Sequence, residues 1–375
     1  MDVFLFGSLV HAPLRAQVLG CDLAGRPARL DGWQPVAAAP RGPATLIARD
    51  EAVAPGLVLE GLDPQAADRL AYFTAVHGCR PDTVTLDGRD VRVFLADMPQ
   101  DGPQDGLQDG PQEAPAFDAT DWARDWAPLW SLAAEEIMAQ HGRLEGAAFG
   151  AHRLRAVETR AAARLRADER PRPSAFDLDR DVVVHARHLP YLNFFSLAEI
   201  DLQYRRHDGT LGPVMNRAAL KVGDAAIVLP YDPVRDCVLL VQQFRAAPYV
   251  AGDSSPWIWE APAGLVDPGE TPPEAALREA VEEARLTLDR LEPVAQAYSS
   301  TGSSTEFSHI FVGIADLRGA GAVAGVEAEG EDIRSEVIPF ARFLDDLQAG
   351  RHVNLQLVTA GLWLALNRER LRRAG

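Results

Sequence analysis

The stretch from Gly264 to Leu286 constrains this chain more than any other, because it sets a helix start, a helix face and a charge problem together. Thr271 followed three residues later by Glu274 has the form of a capping box, in which side chains and backbone satisfy each other's unpaired groups. Pro272 and Pro273 fall in the first helical turn, where a missing N–H costs nothing. The spacing therefore predicts a helix beginning at Thr271. On it Glu279, Glu282 and Glu283 stand close enough in sequence to share one face. Like charges so placed repel, and a bare Glu-x-x-Glu-Glu is most simply a solvated acidic face. The pattern here is longer: Gly264, five residues, Glu270, seven residues, Arg278-Glu279, two residues, Glu282-Glu283. That many constraints in one window favour a cation that neutralises the cluster, and oxygen-only ligands select a hard one, Mg²⁺ or Mn²⁺.

The rest of the chain is read around this element. At 375 residues it is too long for one ordinary domain and has room for two cores. No run approaches the roughly 18 apolar residues of a membrane helix, and Met1 to Gly7 reads as a first strand rather than a signal peptide. Cys21, Cys79 and Cys237 have neither metal-type spacing nor the even number of a disulfide framework, which implies a reducing, cytoplasmic setting. The net charge of −17 argues against nucleic acid or an anionic membrane as partner. It leaves small anions open, provided that local groups overcome the field.

In the first half, Val3 to Leu9, Gly56 to Leu59 and Val91 to Leu95 are strand candidates. The Gly/Gln/Asp-rich stretch Asp101 to Gln112 cannot bury enough apolar surface to order itself and predicts a disordered loop over 101–115. Trp122, Trp126 and Trp130 form a helical stripe running on to Met138, core-facing on balance, with a kink or break at Pro128. A helix over Leu154 to Ala167 carries Arg155, Arg160, Arg164 and Arg166, read as a solvated face. The Pro-flanked run Arg170 to Ser174 marks a hinge, dividing the chain into domains 1–170 and 171–375. Beyond it, Asp224 to Pro230 and Cys237 to Gln242 bracket a turn and predict a hairpin. The strand Ser308 to Ile314 and a helix from Leu355 to Arg372 complete the second half.

The Gly264 to Leu286 pattern resembles the signature box of the Nudix hydrolases, whose loop–helix–loop sits in an α/β/α sandwich. The resemblance implies Glu279 and Glu283 as principal metal ligands with Glu282 beside them, and Arg278 and Glu270 as a bracing salt bridge. Two positions depart from the family: Ala280 replaces a larger aliphatic residue, and Arg285 stands where a glycine is usual. A left-handed Arg costs about 1 kcal/mol or more relative to Gly, which predicts a remodelled helix end. Trp259 to Gly264, Ala275 to Glu279, Leu229 to Pro233, Gln243 to Arg245 and Glu329 to Ile333 resemble the ADP-ribose pyrophosphatase subfamily. By that resemblance the Ala263 carbonyl joins the metal site, Arg245 and Glu260 bind substrate, Arg217 lies near the adenosine, and Glu306 serves as metal ligand or general base. It further implies a homodimer and Mg²⁺-assisted attack of water on a nucleoside diphosphate sugar, ADP-ribose giving AMP and ribose 5-phosphate. Thr301 replaces the proline that marks ADP-ribose preference, which keeps other nucleoside diphosphate sugars open.

Phe6-Gly7-Ser8-Leu9 after a strand, with Val18-Leu19-Gly20 and Gly56 to Leu59 downstream, is similar to the opening of γ-glutamylcyclotransferase-like domains. There Gly7, Ser8 and Leu9 would form a ligand loop. Thr74 in Leu70 to Ala75 stands where that family has its acidic residue, so a binding, regulatory or dimer-supporting domain without cyclotransferase activity is expected. The fold class implied is α/β (α+β): a γ-glutamylcyclotransferase-like mixed β-barrel/α domain, then a Nudix α/β/α sandwich. That pairing resembles tellurite-resistance proteins of the TrgB type. The competing readings are cyclotransferase activity and a non-catalytic nucleotide sensor.

Overall fold

A computed structural model describes residues 1–37, 42–96, 115–170, 174–321, 323–324 and 332–374. The chain divides into two compact units, Met1–Arg172 with Leu192–Phe194, and Pro173–Tyr191 with Phe195–Gly375. The loop expected over 101–115 (apart from Pro115), the hinge prolines Pro171 and Pro173, and Glu329 to Glu331 lie outside the described residues.

In the first unit, β1 (Val3–Phe6) leads through a 3-10 turn (Gly7–Val10) into α1 (Ala12–Leu19). The long strands β2 (Arg26–Ala37) and β3 (Ala44–Leu59) follow, then α2 (Pro64–Val76), β4 (Cys79–Leu86) and β5 (Arg89–Ala96). Helices α3 (Ala119–Asp125), α4 (Ala127–Met138) and α5 (Gly146–Arg166) come last. The sheet runs β2-β3-β1-β5-β4, with the fully buried β1 at its centre. The strand expected over Val3 to Leu9 stops at Phe6, because Gly7 turns the chain at φ 59°. A Cβ at Gly7 would come within 2.5 Å of the Ala44 Cβ, so the turn is also a close crossing. The tryptophan stripe is divided at Trp126 between two helices, with Pro128 in the first turn of the second, and it buries Trp122 and Trp130.

The arginine-rich helix α5 corrects the sequence reading in two ways. It begins at Gly146 rather than Leu154, and its arginines are not all solvated. Arg155 and Arg164 are exposed, but Arg160 is buried and clasps the buried Glu136 of α4 at 3.0 and 2.8 Å. Desolvating either charge alone would be costly, and each is the other's compensation.

The second unit opens with a short helix α6 (Leu178–Asp181) and a three-stranded sheet of β6 (Val182–Leu192), β7 (Ser196–Tyr204) and β8 (Met215–Lys221). The central elements are β9 (Ala225–Asp232), β10 (Cys237–Phe244), α7 (Ala246–Val250), β11 (Trp257–Glu260), β12 (Ala263–Leu265) and α8 (Pro272–Ala284). After them come β13 (Arg290–Tyr298), β14 (Phe307–Ile314), β15 (Val323–Ala324), β16 (Ile333–Pro339), α9 (Phe340–Gln348) and α10 (Leu355–Ala374). The central sheet is ordered β13-β14-β9-β10-β16-β15, with β12 beside β9 and β11 beside β10.

Strand alternation explains the layers. Ala226, Val228 and Phe311 point to one face and pack with the α8 alanines Ala275, Ala276, Ala280 and Ala284. Ile227, Leu229 and Ile310 point to the other, against Phe343 of α9 and Leu357 and Leu364 of α10. The result is an α/β/α sandwich. The expected hairpin is present: Asp232 caps the turn by accepting from the Val234 and Arg235 amides, both at 2.9 Å. β9 and β10 pair only next to the turn, at Asp232–Cys237 and Tyr231–Val238. Below it they part, and β12 pairs with β9 from Ile227 to Ala225. That split brings the loop before α8 into the sheet.

Candidate active site

Helix α8 starts as its sequence requires. Thr271 and Glu274 form the reciprocal capping box, and the prolines occupy the first turn. At the other end Arg285 takes the left-handed conformation (φ 51°, ψ 39°), so the expected remodelling does not occur. Its amide still closes the helix on the Ala280 and Val281 carbonyls, and the chain carries the strain of a left-handed Arg.

Arg278 is the hub of the site. Nε and Nη2 clasp the Glu270 carboxylate at 3.0 and 3.1 Å, and Nη2 also donates to the Leu265 carbonyl at 3.0 Å. Nη1 donates to Glu279 at 2.5 Å and to Glu282 at 2.9 Å. Every N–H of the guanidinium therefore has a partner. Burial acts to lower the Arg278 pKa, but the hydrogen bonds and charges of Glu270 and Glu279 outweigh it and raise it, so the group stays cationic. Glu279 lies directly over Gly264: a Cβ there would sit 1.9 Å from its Oε1. The glycine is thus required by the carboxylate above it. Glu283 is buried beside these groups and accepts from Gln243 of β10 at 3.2 Å and from the Ala263 amide at 2.9 Å.

The structure thus gathers Glu270, Glu279 and Glu282 around the Arg278 guanidinium and sets Glu283 against Ala263. The three α8 glutamates do not meet at a single point. Arg278 draws two of them, and the Ala263 amide draws the third. Among the described residues no group of three or more His, Cys, Asp or Glu is arranged to hold a metal ion. The donor chemistry nonetheless fits a hard divalent cation: two buried carboxylates, a half-exposed third, and a backbone kept bare at Gly264 for the approach of Glu279.

Arg245, at the end of β10, pairs with Glu260 of β11 at 2.7 Å, and Asn354 at the head of α10 donates to the other Glu260 oxygen at 3.0 Å. Glu306 ends the loop before β14 and does not bond to α8. It accepts from the Ser299 hydroxyl and from Gln356 of α10 at 3.4 Å. Arg217 on β8 is exposed and bonds only locally, to the Asn216 carbonyl and the Met215 sulfur. The structure brings neither Glu306 nor Arg217 to the Arg278 hub. Asn354 and Gln356 escaped the sequence reading because nothing local marks them: they reach the site from about fifty residues downstream of Glu306.

In the first unit, Ser8, Leu9 and Thr74 line a common cavity with Phe73, His77 and Phe94, and Gly7 makes the turn beside it. The Thr74 hydroxyl is committed to the Leu70 and Ala71 carbonyls at 2.9 and 3.1 Å. Burial lowers the His77 pKa to about 3, so its ring is neutral.

Comparison with known proteins agrees with the second unit's construction. The NUDIX domain model matches residues 221–356. An ADP-ribose pyrophosphatase of Escherichia coli is 36% identical over 192 residues, which are 51% of this chain and 91% of that protein. A GDP-mannose pyrophosphatase of the same species is 34% identical over 160 residues, 42% of this chain and 81% of the relative. A solved structure of an ADP compounds hydrolase overlays 52% of this chain and 97% of its own, with 20% identity and a TM-score of 0.40. The chain belongs to the Nudix hydrolases. It is an enzyme of that family, with its Nudix module in the second unit.

Proposed function

We propose that the second unit hydrolyses the pyrophosphate bond of ADP-ribose to AMP and ribose 5-phosphate, with Mg²⁺ or Mn²⁺ as cofactor. The observation that carries this reading is the carboxylate excess around Arg278: one guanidinium faces Glu270, Glu279 and Glu282, with Glu283 buried alongside. Glu279 and Glu283, with Glu282, would hold the cation, which supplies charge neutralisation of the phosphates and a more acidic attacking water. Arg278 keeps the loop from Leu265 to Glu270 closed on α8. The Arg245 guanidinium, steadied by Glu260, offers the paired donors that suit a phosphate. Glu306 accepts the proton of the attacking water from a loop fastened by Ser299 and Gln356. The relative named ADP-ribose pyrophosphatase supports this substrate.

A second reading has its own observations. Thr301 stands in place of the subfamily proline, and another relative is named for GDP-mannose. A panel of ADP-ribose, GDP-mannose and other nucleotide sugars, with product chromatography with and without EDTA, separates the two. AMP from ADP-ribose that EDTA abolishes is the expected result. Faster turnover of GDP-mannose would move the substrate assignment to the second reading.

For the first unit we propose a γ-glutamylcyclotransferase-like module without that activity, because Thr74 offers no acid or base near neutral pH; no 5-oxoproline release is expected. Its pairing with a Nudix module follows the plan of tellurite-resistance proteins, with no tellurite chemistry assigned. We further propose a cytoplasmic homodimer through the Nudix unit. Free cysteines fit that compartment, and no described helix is long and apolar enough to cross a membrane. Light scattering at twice the chain mass would support the dimer.

A further inference from the structure

Asp224 is fully buried just ahead of β9, and His309 of β14 is buried next to it, with Nε2 3.5 Å from an Asp224 carboxylate oxygen. Nε2 is placed to donate to Asp224, and the ring's second nitrogen is Nδ1. That Nδ1 is buried and has no partner among the described residues. A buried dyad of this kind, outside the site residues named so far, needs a reason.

The sheet register supplies one. His309 and Gly264 each lie directly opposite Ala226, on its two sides. Directly paired residues share a face, and Ala226 faces α8. His309 therefore stands on the face that carries Glu279, two strands from the Gly264 position over which Glu279 lies. Asp224 is tied to both halves of the site. Its own carbonyl accepts from the Val266 amide at 2.9 Å, fixing the loop into α8. Two residues earlier, Val222 exchanges bonds with the Thr305 hydroxyl at 2.9 and 3.0 Å, beside Glu306. His309 itself follows Glu306 by three residues.

We infer that the Asp224–His309 pair is a positioning unit, holding the Glu306 strand and the Gly264 loop in one register so that Glu306 and the α8 glutamates act on the same substrate. This rests on the proposed hydrolytic reading, and its test separates the two. The Nε2 amide of a glutamine can replace the His309 Nε2 donor; an asparagine amide instead overlies Nδ1, and leucine replaces neither. His309→Leu and His309→Asn are expected to lower kcat about 10- to 100-fold, with KM changed less than about twofold. His309→Gln is expected to restore kcat. Deuterium exchange of the segment containing Val266 is expected to rise in the Leu and Asn variants and to stay at the wild-type level in the Gln variant. Wild-type-like kcat and exchange in His309→Leu would overturn the inference. So would losses in all three variants that simply track their melting temperatures. A wild-type protein that turns over no nucleotide sugar would sink the hydrolytic reading, and the exchange pattern would then decide the positioning claim alone.

Discussion

Two arginines, one in each unit, sit among carboxylates on packed helices and make opposite arrangements. Arg160 meets one buried glutamate, Glu136, through two bonds to a single oxygen, and the charges balance. Arg278 meets Glu270, Glu279 and Glu282 in a half-buried setting, with Glu283 near, and the charges do not. A charge-balanced pair, its remaining guanidinium nitrogen taken by the Phe194 carbonyl at 2.7 Å, belongs to folding. A carboxylate excess around one cation is stable enough to fold and still lacks positive charge, which is the condition for taking up another cation. The contrast explains why the overall charge of −17 was a poor guide to the ligand: local balance decides, and it differs between two sites on one chain.

The same chemical change should therefore act differently at the two places. Glu136→Gln leaves Arg160 buried without its counter-charge and is expected to cost about 3–5 kcal/mol, read by denaturant unfolding. A second effect of burial in the first unit depends on pH. His77 titrates near 3 in the folded chain instead of 6.5, so between these values the unfolded state binds more protons. Stability is expected to fall as pH drops below about 6.5, by roughly 2 kcal/mol at about pH 5. His77→Phe, which keeps a ring between Phe73 and Trp130, should flatten that slope in unfolding followed by tryptophan fluorescence.

Smaller effects are expected around α8. Arg285→Gly relieves a left-handed Arg and should raise stability by about 1 kcal/mol, with turnover unchanged, since the substitution lies beyond the glutamates. Glu282→Gln removes one half-exposed carboxylate and should leave stability within about 0.5 kcal/mol of wild type in thermal melts. A large destabilisation there would mean that Arg278 is a closed structural pair after all, and would erase the comparison.

Much of the site helix was legible because its information is local. The capping box, the proline pair and the Arg278–Glu270 spacing all act within a few turns, and the hairpin at Asp232 follows from its own turn residues. What escaped was carried by contacts distant in sequence. Arg160 read as solvated because its partner sits 24 residues away on another helix. Asn354 and Gln356 reach Glu260 and Glu306 from α10, which no spacing rule connects to the Nudix pattern. Arg285 shows a third kind of gap. Propensity argued against a left-handed Arg, and the packing of α8 on the sheet overrode a penalty of about 1 kcal/mol.

The central claim is that the α8 carboxylates are kept in excess to hold a catalytic cation. It is tested most directly by single-turnover hydrolysis of ADP-ribose by Glu283→Gln at saturating Mg²⁺, beside wild type of equal melting temperature. A loss of at least about 100-fold in AMP release is the expected result, since a ligand should cost more than the groups that support ligands. Near-wild-type turnover by Glu283→Gln would contradict it.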